Sequence, residues 1–385
     1  MRIGVLTGGG DVPGLNACIK GIVYGAASRD WSVVGIRRGW AGLLQLDPDQ
    51  PSTLASGTLE LNRQNTRTID RTGGTFLHTS RLDPSRISAD QVPATLLQRG
   101  DLTRPSADAG LVDCTPHVLR VLDWLGIDDL VVIGGDATLG YAGRLADEAV
   151  ALVGIPKTMD NDVFGTDYCL GFSTAVTRSI QFIHQLRSSA GSHERIAVIE
   201  LFGRQCGETT LMASYLAGAD RALIPEVPFE PRRLADLLEM DRHANPSNYA
   251  VVTISEGAYP LGSAAATPAT SGLREPPSAG RVLGDTLSEL SGEETLYQQV
   301  GYLMRSGAPD GLDLMVADNF AELALSLIDG GEEQHMVSLQ HGAYASVPIR
   351  TISTGLKRVD VPELYDPQQY VPVVTHVRGK PMFLY

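Results

Sequence analysis

Positive charge is in short supply in this 385-residue chain: 31 lysines and arginines stand against 45 aspartates and glutamates, a formal net charge of −14. So acidic a chain is excluded as a broad, sequence-independent nucleic-acid binder, because that affinity comes from cations neutralising phosphates. Long apolar runs are also missing, and none reaches the ~18 residues a membrane-spanning helix needs. The opening MRIGVLTGGG has no basic stretch followed by an extended apolar segment, so no signal peptide is expected and the cytoplasm is the expected location. Only four cysteines occur, Cys18, Cys114, Cys169 and Cys206. They are scattered without a C-x-x-C pair, which argues against a zinc or dithiol site and fits structural thiols in a reducing compartment. With 43% apolar and 20% charged residues, the chain reads as a folded protein of two or three domains.

What is present is an alternation of short apolar runs and helical periodicity. Strands are expected at Ile3–Leu6, Trp31–Ile36, Asp129–Ile133, Ala151–Ile155 and Arg195–Leu201, with another at Val347–Ile349. Helices are expected over Leu15–Ala27, Pro116–Leu125 and Ser173–Ser188, and through much of Gly301–Gly330. Such alternation implies a parallel sheet covered on both faces. Between Gly257 and about Gly284 the composition shifts to Ala, Pro, Ser, Gly and Thr, as in a mobile surface insertion. Gly8–Asp11, Gly134–Thr138, Lys157–Asp162 and Phe202–Arg204 all follow apolar runs at the same strand end, so these four turns are expected to converge.

Two familiar templates are absent from TGGGDVPG at 7–14: it lacks the Lys-Ser/Thr of a P-loop and the G-x-G-x-x-G of a dinucleotide fold. Glycines between a strand and a helix nevertheless let backbone N–H groups approach an anion, with a tight turn as the alternative reading. In GGDAT at 134–138, Asp136 is either a helix cap or a Mg²⁺ ligand, since that ion takes one or two carboxylates and leaves its other positions to water and phosphate. PKTMDND at 156–162 is more informative, with Lys157 and Thr158 ahead of Asp160 and Asp162. Phosphoryl transfer needs a base, cations that spread charge, and short donors that hold the group in line. Arg195, Arg204 and Arg305 are each ordinary surface charges if taken alone, but guanidinium groups beside glycine-rich turns suit phosphate. Glu256 is a candidate acceptor for a sugar hydroxyl or else a solvated loop acid.

In these stretches the sequence resembles the phosphofructokinase family. The resemblance rests on GGGDVPGLN at 8–16, GGTFLHTSR at 73–81, GGDAT at 134–138, PKTMDND at 156–162, GSHERIAVIELFGRQCG at 191–207, TISEG at 253–257 and GYLMRSGAPDGLD at 301–313, in that order. It implies an α/β protein of two Rossmann-like parallel-sheet domains with the active site in the cleft between them. Residues 1–157 would form the larger, donor-side domain, 158–330 the smaller sugar-phosphate domain, and 331–385 a segment packing back on the larger one. The implied reaction is the glycolytic transfer of a phosphoryl group to the 1-hydroxyl of fructose 6-phosphate.

By resemblance, Asp160 takes the proton of the sugar hydroxyl with Asp162 beside it, and Asp136 holds Mg²⁺. Thr158 contacts the migrating group and Arg204 neutralises its charge. Gly10, Arg81, Gly135, Ala137, Thr138 and Lys157 line the donor site. Phe202, Gly203 and Glu256 position the sugar, and Tyr302 and Arg305 bind its 6-phosphate. Arg195 reaches that phosphate from a neighbouring subunit, which implies a homodimer or homotetramer. The second cross-subunit Arg common in the family is Leu296 here, so the phosphate site lacks one cation or recruits another such as Lys357 or Arg358. The paired arginines of regulated bacterial members are matched by Lys20 and Tyr24, so that regulation is not expected.

The donor is read at two positions. Relatives using pyrophosphate carry Asp after Gly-Gly-Asp, where it crowds and repels the α-phosphate of ATP, and Lys in the PKT element. Here the first position is Ala137 and the second Lys157, so the repulsive element is lost. This points to ATP, with pyrophosphate the alternative. A catalytically silent sensor of sugar phosphate or nucleotide would be expected to lose Asp160 or Arg204, and both remain. An NAD or lipid kinase would share only the Gly-Gly-Asp element.

Overall fold

A computed structural model describes residues 1–99, 103–106, 110–263 and 278–379. Its framework is two sheets. The larger runs, in spatial order, Ala343–Pro348, His335–Gln340, Leu152–Pro156, Asp129–Gly134, Arg2–Thr7, Ser32–Ile36 and Thr58–Leu61. The five inner strands are parallel and each edge strand is antiparallel to its neighbour. The smaller sheet is wholly parallel, in the order Arg221–Leu223, Ala250–Ser255, Ile196–Leu201, Thr295–Gln299. DLVVIG at 129–134 and LVGIP at 152–156 are buried throughout, as expected for strands covered on both faces.

Side-chain alternation along these strands divides the apolar interior into three. Ile3 and Val5 join Ala197, Ile199 and Leu201 in one core shared by both sheets, whereas Leu6 faces the outer core of the large sheet and Ile196 and Val198 that of the small one. Helices Leu15–Ala27, Phe172–His193 and Gly311–Asp329 contribute to the shared core.

Several expectations change here. Helix Gly311–Asp329, assigned to the smaller domain by the 158–330 boundary, packs along Leu15–Ala27, so closely that a Cβ on Gly21 would lie 2.8 Å from that of Ala321. The hairpin at 335–348 extends the large sheet, and Ile349 and Ile352 join its outer core, but the chain then leaves it. Val359, Leu364, Tyr365 and Tyr370 enter the outer core of the small sheet, because its outer face has apolar surface left to cover. The strand expected at Val347–Ile349 ends at Pro348, and Ile349 begins a short helical turn. The stretch expected to be an insertion already forms a helix by Ala279, capped by Ser278, while its centre at 264–277 lies outside the described residues, as does the tail at 380–385.

One buried carboxylate joins the sheets' helices. Helix Phe172–His193 begins on Gly171, which has no side chain to cap it. Asp313 does so from another helix, accepting bonds from the N–H of Gly171 (2.8 Å), the N–H and hydroxyl of Thr174 (2.9 and 2.5 Å) and the Tyr168 hydroxyl (2.8 Å). Burial raises its pKa to about 6 despite these donors. Asp313→Ala strands four buried donors and is expected to cost about 3 kcal/mol in denaturant unfolding, with Asp313→Asn recovering part of it.

Candidate active site

The large sheet changes direction at Arg2–Thr7, with Ser32–Ile36 on one side and Asp129–Gly134 on the other. In such sheets ligands sit beyond the strand ends at the reversal. A cleft of about 380 Å³ opens there, between the ends of the two sheets. All four turns expected to converge contribute to it, together with Arg81, Glu256 and Arg305.

Close backbone approach builds the donor-side wall. A Cβ on Gly8 or Gly134 would lie 2.5 or 2.4 Å from Thr138, so only glycine at both positions lets that threonine into helix Asp136–Asp147. The backbone at Gly9 turns with φ 81°, its N–H on the Ser80 carbonyl (2.8 Å) and its own carbonyl accepting from Thr79 (2.8 Å). This holds segment 79–81, and with it Arg81, against the loop. Asp136 is the first residue of its helix and its Oδ1 accepts from the Ala137 N–H (2.7 Å). Ala137 is exposed at this helix N-terminus, where the backbone favours an anion. Lys157 is buried and donates to the Gly10 carbonyl (2.7 Å), and burial lowers its pKa to about 8 against the pull of Asp162.

At the centre, Thr158 ties the carboxylate turn together. Its Oγ1 accepts from the Asp160 N–H (3.1 Å) and its hydroxyl bonds the Asp162 carboxylate. Asn161, between the two aspartates, sits at φ 55°, a left-handed conformation asparagine tolerates better than most residues. Asp160 accepts from the Arg204 N–H, yet its Oδ1 is buried with no hydrogen-bond partner. Burial, then the charges of Asp162 and Glu256, raise its pKa to about 8. Asp162 is shifted up by burial and by Asp136. An unpartnered buried carboxylate oxygen with its proton affinity raised is suited to receive a proton from a bound hydroxyl.

The small sheet supplies the opposite wall. Gly203, at φ 133°, turns the chain after Leu201 so that Arg204 faces the cleft, its Nε 3.4 Å from Glu256 Oε1. Arg305 lies beneath Tyr302 and Phe202, 4.4 and 5.6 Å from their ring centroids, and its Nε is 3.5 Å from Asp11 Oδ1. One cation from the sugar side thus reaches the glycine loop of the donor side.

Of the residues singled out in the sequence, Asp160, Asp162, Thr158, Arg204, Gly10, Arg81, Gly135, Asp136, Ala137, Thr138, Lys157, Phe202, Glu256 and Arg305 line the cleft, and three do not. Gly203 shapes a turn from behind. Tyr302 is 70% exposed and covers Arg305. Arg195 precedes Ile196–Leu201, at the strand end away from the cleft and about 20 Å from it by strand length, and there pairs with Glu294. Lys357, offered as a replacement phosphate cation, points elsewhere: it donates to the Asp167 carbonyl (2.9 Å) and lies 3.5 Å from buried Glu208. Arg358 is exposed and lines no part of the cleft. Sequence reasoning passed over Asp11, Leu82, Asp83, Met159 and Gln205, all in the lining. Asp11, Met159 and Gln205 lie within quoted motifs and Leu82 and Asp83 directly follow one, and that proximity was the available signal.

Two largely parallel sheets that face glycine-rich turns, paired carboxylates and guanidinium groups across one cleft define a phosphotransferase of the α/β class. The sequence model described as phosphofructokinase matches residues 2–328, and the chain belongs to that family. It is similar to a pyrophosphate–fructose 6-phosphate 1-phosphotransferase of Amycolatopsis methanolica, 33% identical over 371 residues that span 95% of this chain and 98% of that one. It is also similar to ATP-dependent 6-phosphofructokinase 1 of Synechocystis, 32% identical over 351 residues and 90% of each chain. Among solved structures, a pyrophosphate-dependent phosphofructokinase from Marinobacter aquaeolei shares the fold with a TM-score of 0.74 at 16% identity, covering 99% of this chain and 97% of that one.

Proposed function

We propose that ATP is the phosphoryl donor of this enzyme, which phosphorylates fructose 6-phosphate on its 1-hydroxyl to give fructose 1,6-bisphosphate. The observation that carries the donor assignment is Ala137, small, neutral and exposed at the helix N-terminus where a carboxylate would repel a nucleotide's α-phosphate. Lys157, which could otherwise pair with the end of pyrophosphate, is engaged by the Gly10 carbonyl. The pyrophosphate-named relative makes the reversible pyrophosphate reaction the alternative.

In this reading Asp160 accepts the hydroxyl proton as the sugar oxygen attacks the γ-phosphorus, and the bond from that phosphorus to the β–γ bridging oxygen breaks to release ADP. Thr158 holds the migrating group in line. Arg204 balances the charge on it, kept beside Asp160 by its own backbone N–H. Glu256 and Phe202 orient the sugar, and Arg305 meets the 6-phosphate by leaving Asp11. Among the described residues no three His, Cys, Asp or Glu side chains are grouped to hold a metal unaided. Mg²⁺ takes one or two carboxylates and completes its shell with phosphate and water, and the cleft lining offers two such carboxylates. Asp136 and Asp162, near enough for one to raise the pKa of the other, are the residues that would hold it. Bound there, Mg²⁺ neutralises charge on the donor phosphates.

We place the enzyme in the cytoplasm as a homodimer or homotetramer, with Arg195 completing a neighbour's phosphate site. Among the described residues no helix is long and apolar enough to cross a membrane. Initial rates with fructose 6-phosphate and Mg²⁺, comparing ATP with pyrophosphate, test the reading. Turnover with ATP supports it, and reversal of the reaction by inorganic phosphate would assign pyrophosphate instead.

A further inference from the structure

Behind the carboxylate turn, away from the cleft, lies a buried polar chain that the proposed chemistry does not use. Asn161 is fully buried; its Nδ2 donates to Glu208 Oε1 (2.6 Å) and to the Asp167 carbonyl (2.9 Å), and its Oδ1 accepts from the Cys169 N–H (2.7 Å). Glu208 is 1% exposed and opens the helix Glu208–Ala217, which directly follows the loop carrying Arg204. The next residue, Thr209, donates to the Met159 carbonyl (2.5 Å). Two successive side chains of this helix therefore grip the turn on either side of Asp160. A carboxylate so deeply buried needs a cation, and Lys357 supplies it, with Nζ 3.5 Å from Glu208 Oε2 and donating to the same Asp167 carbonyl. The backbone N–H of Val359, two residues on, bonds Glu226, which also accepts from the Gly207 N–H just before the helix. Lys357 lies beyond residue 328, where the family match ends.

We infer that Lys357 is a positioning residue: acting through Glu208 and Asn161, it holds the Asp160–Asp162 turn in register with Arg204, so the strap at 357–359 sets the geometry of the reacting centre. The inference rests on the phosphotransfer reading above. Asp160 and Arg204 come from different sheets, and the Glu208 helix touches the turn of one and continues the loop of the other. Removing the cation leaves buried Glu208 without its charge partner, so it takes up a proton or draws in water, its bond with Asn161 rearranges, and Asn161 shifts with it. A misplacement near 1 Å at a phosphoryl-transfer centre costs turnover far more than binding. Arg305 and the glycine loops are not anchored by these residues, and Phe202 meets the Glu208 helix only through its backbone carbonyl, which accepts from the Thr210 hydroxyl (3.3 Å).

The test compares full-length wild type, Lys357→Met, Lys357→Arg and the double variant Glu208→Gln/Lys357→Met, with ATP and with pyrophosphate. In Lys357→Met, kcat is expected to fall about tenfold or more, with KM for fructose 6-phosphate and donor within about threefold of wild type. Lys357→Arg is expected to keep most of the activity. The double variant is expected to recover much of the lost kcat, since a glutamine still accepts from Asn161 and needs no cation. Should Lys357→Met fail to fold, a double variant that folds and turns over supports charge pairing as what holds the turn, and one that folds with kcat still about tenfold down overturns it. Wild-type kcat in Lys357→Met overturns the inference, as does a loss that the double variant does not recover, because charge pairing is then not what holds the turn. If wild type turns over fructose 6-phosphate with neither donor, the phosphotransfer reading fails and the inference falls with it; if wild type is active and the variants match it, the inference alone fails.

Discussion

Asp160→Asn lowers kcat by about a thousandfold while fructose 6-phosphate still binds: that is the expected result, because the amide fills the same space but cannot accept the hydroxyl proton. The Oδ1 of Asp160 is buried without a partner, so the substitution breaks no bond at that atom, and fluorescence or calorimetric titration should show sugar affinity little changed. The pH profile provides a second readout. Burial and the neighbouring carboxylates raise the Asp160 pKa to about 8, and a base works only when ionised, so kcat/KM should fall as pH drops through that range. This acid limb should be absent from the residual activity of Asp160→Asn. Near-normal turnover in the variant would remove Asp160 from the reaction.

Ala137→Asp is expected to lower kcat/KM for ATP by one to two orders of magnitude and to move the donor preference toward pyrophosphate. The new carboxylate would stand at the start of helix Asp136–Asp147, beside Asp136, where a nucleotide's α-phosphate has to pass. Like charges brought together there cost of order 1–3 kcal/mol, enough for that shift. Pyrophosphate has no such group and should lose much less. Initial rates with both donors decide the matter, and an unchanged ratio would show that position 137 does not govern donor choice in this chain.

How far residues could be assigned from sequence depended on how local their roles are. Strands such as Asp129–Gly134 were legible because a strand covered on both faces is a run of apolar residues, and the turns after them because Gly, Asp and Lys interrupt such runs. Fourteen of the seventeen residues singled out line one cleft, a result of topology: in a parallel sheet every strand delivers its following turn to the same end. Arg195 shows the limit of that logic, since it precedes its strand and the same topology carries it to the opposite end. Lys357 shows another. From sequence it was one cation among several near the end of the chain, and nothing in its neighbours says that it meets Glu208, 149 positions earlier.

From sequence alone came the alternation of strands and helices, the chemistry of the carboxylate turn and the family. These rest on periodicity and on residues close together in the chain, where a few neighbours determine conformation. Only the tertiary structure decided that three helices pack into one core shared by the two sheets, that Asp313 caps a helix it does not belong to, and that the strap at 357–359 passes behind the carboxylate turn. Those outcomes depend on which apolar faces remain uncovered and which buried charges still need partners, and both are known only once the chain has folded.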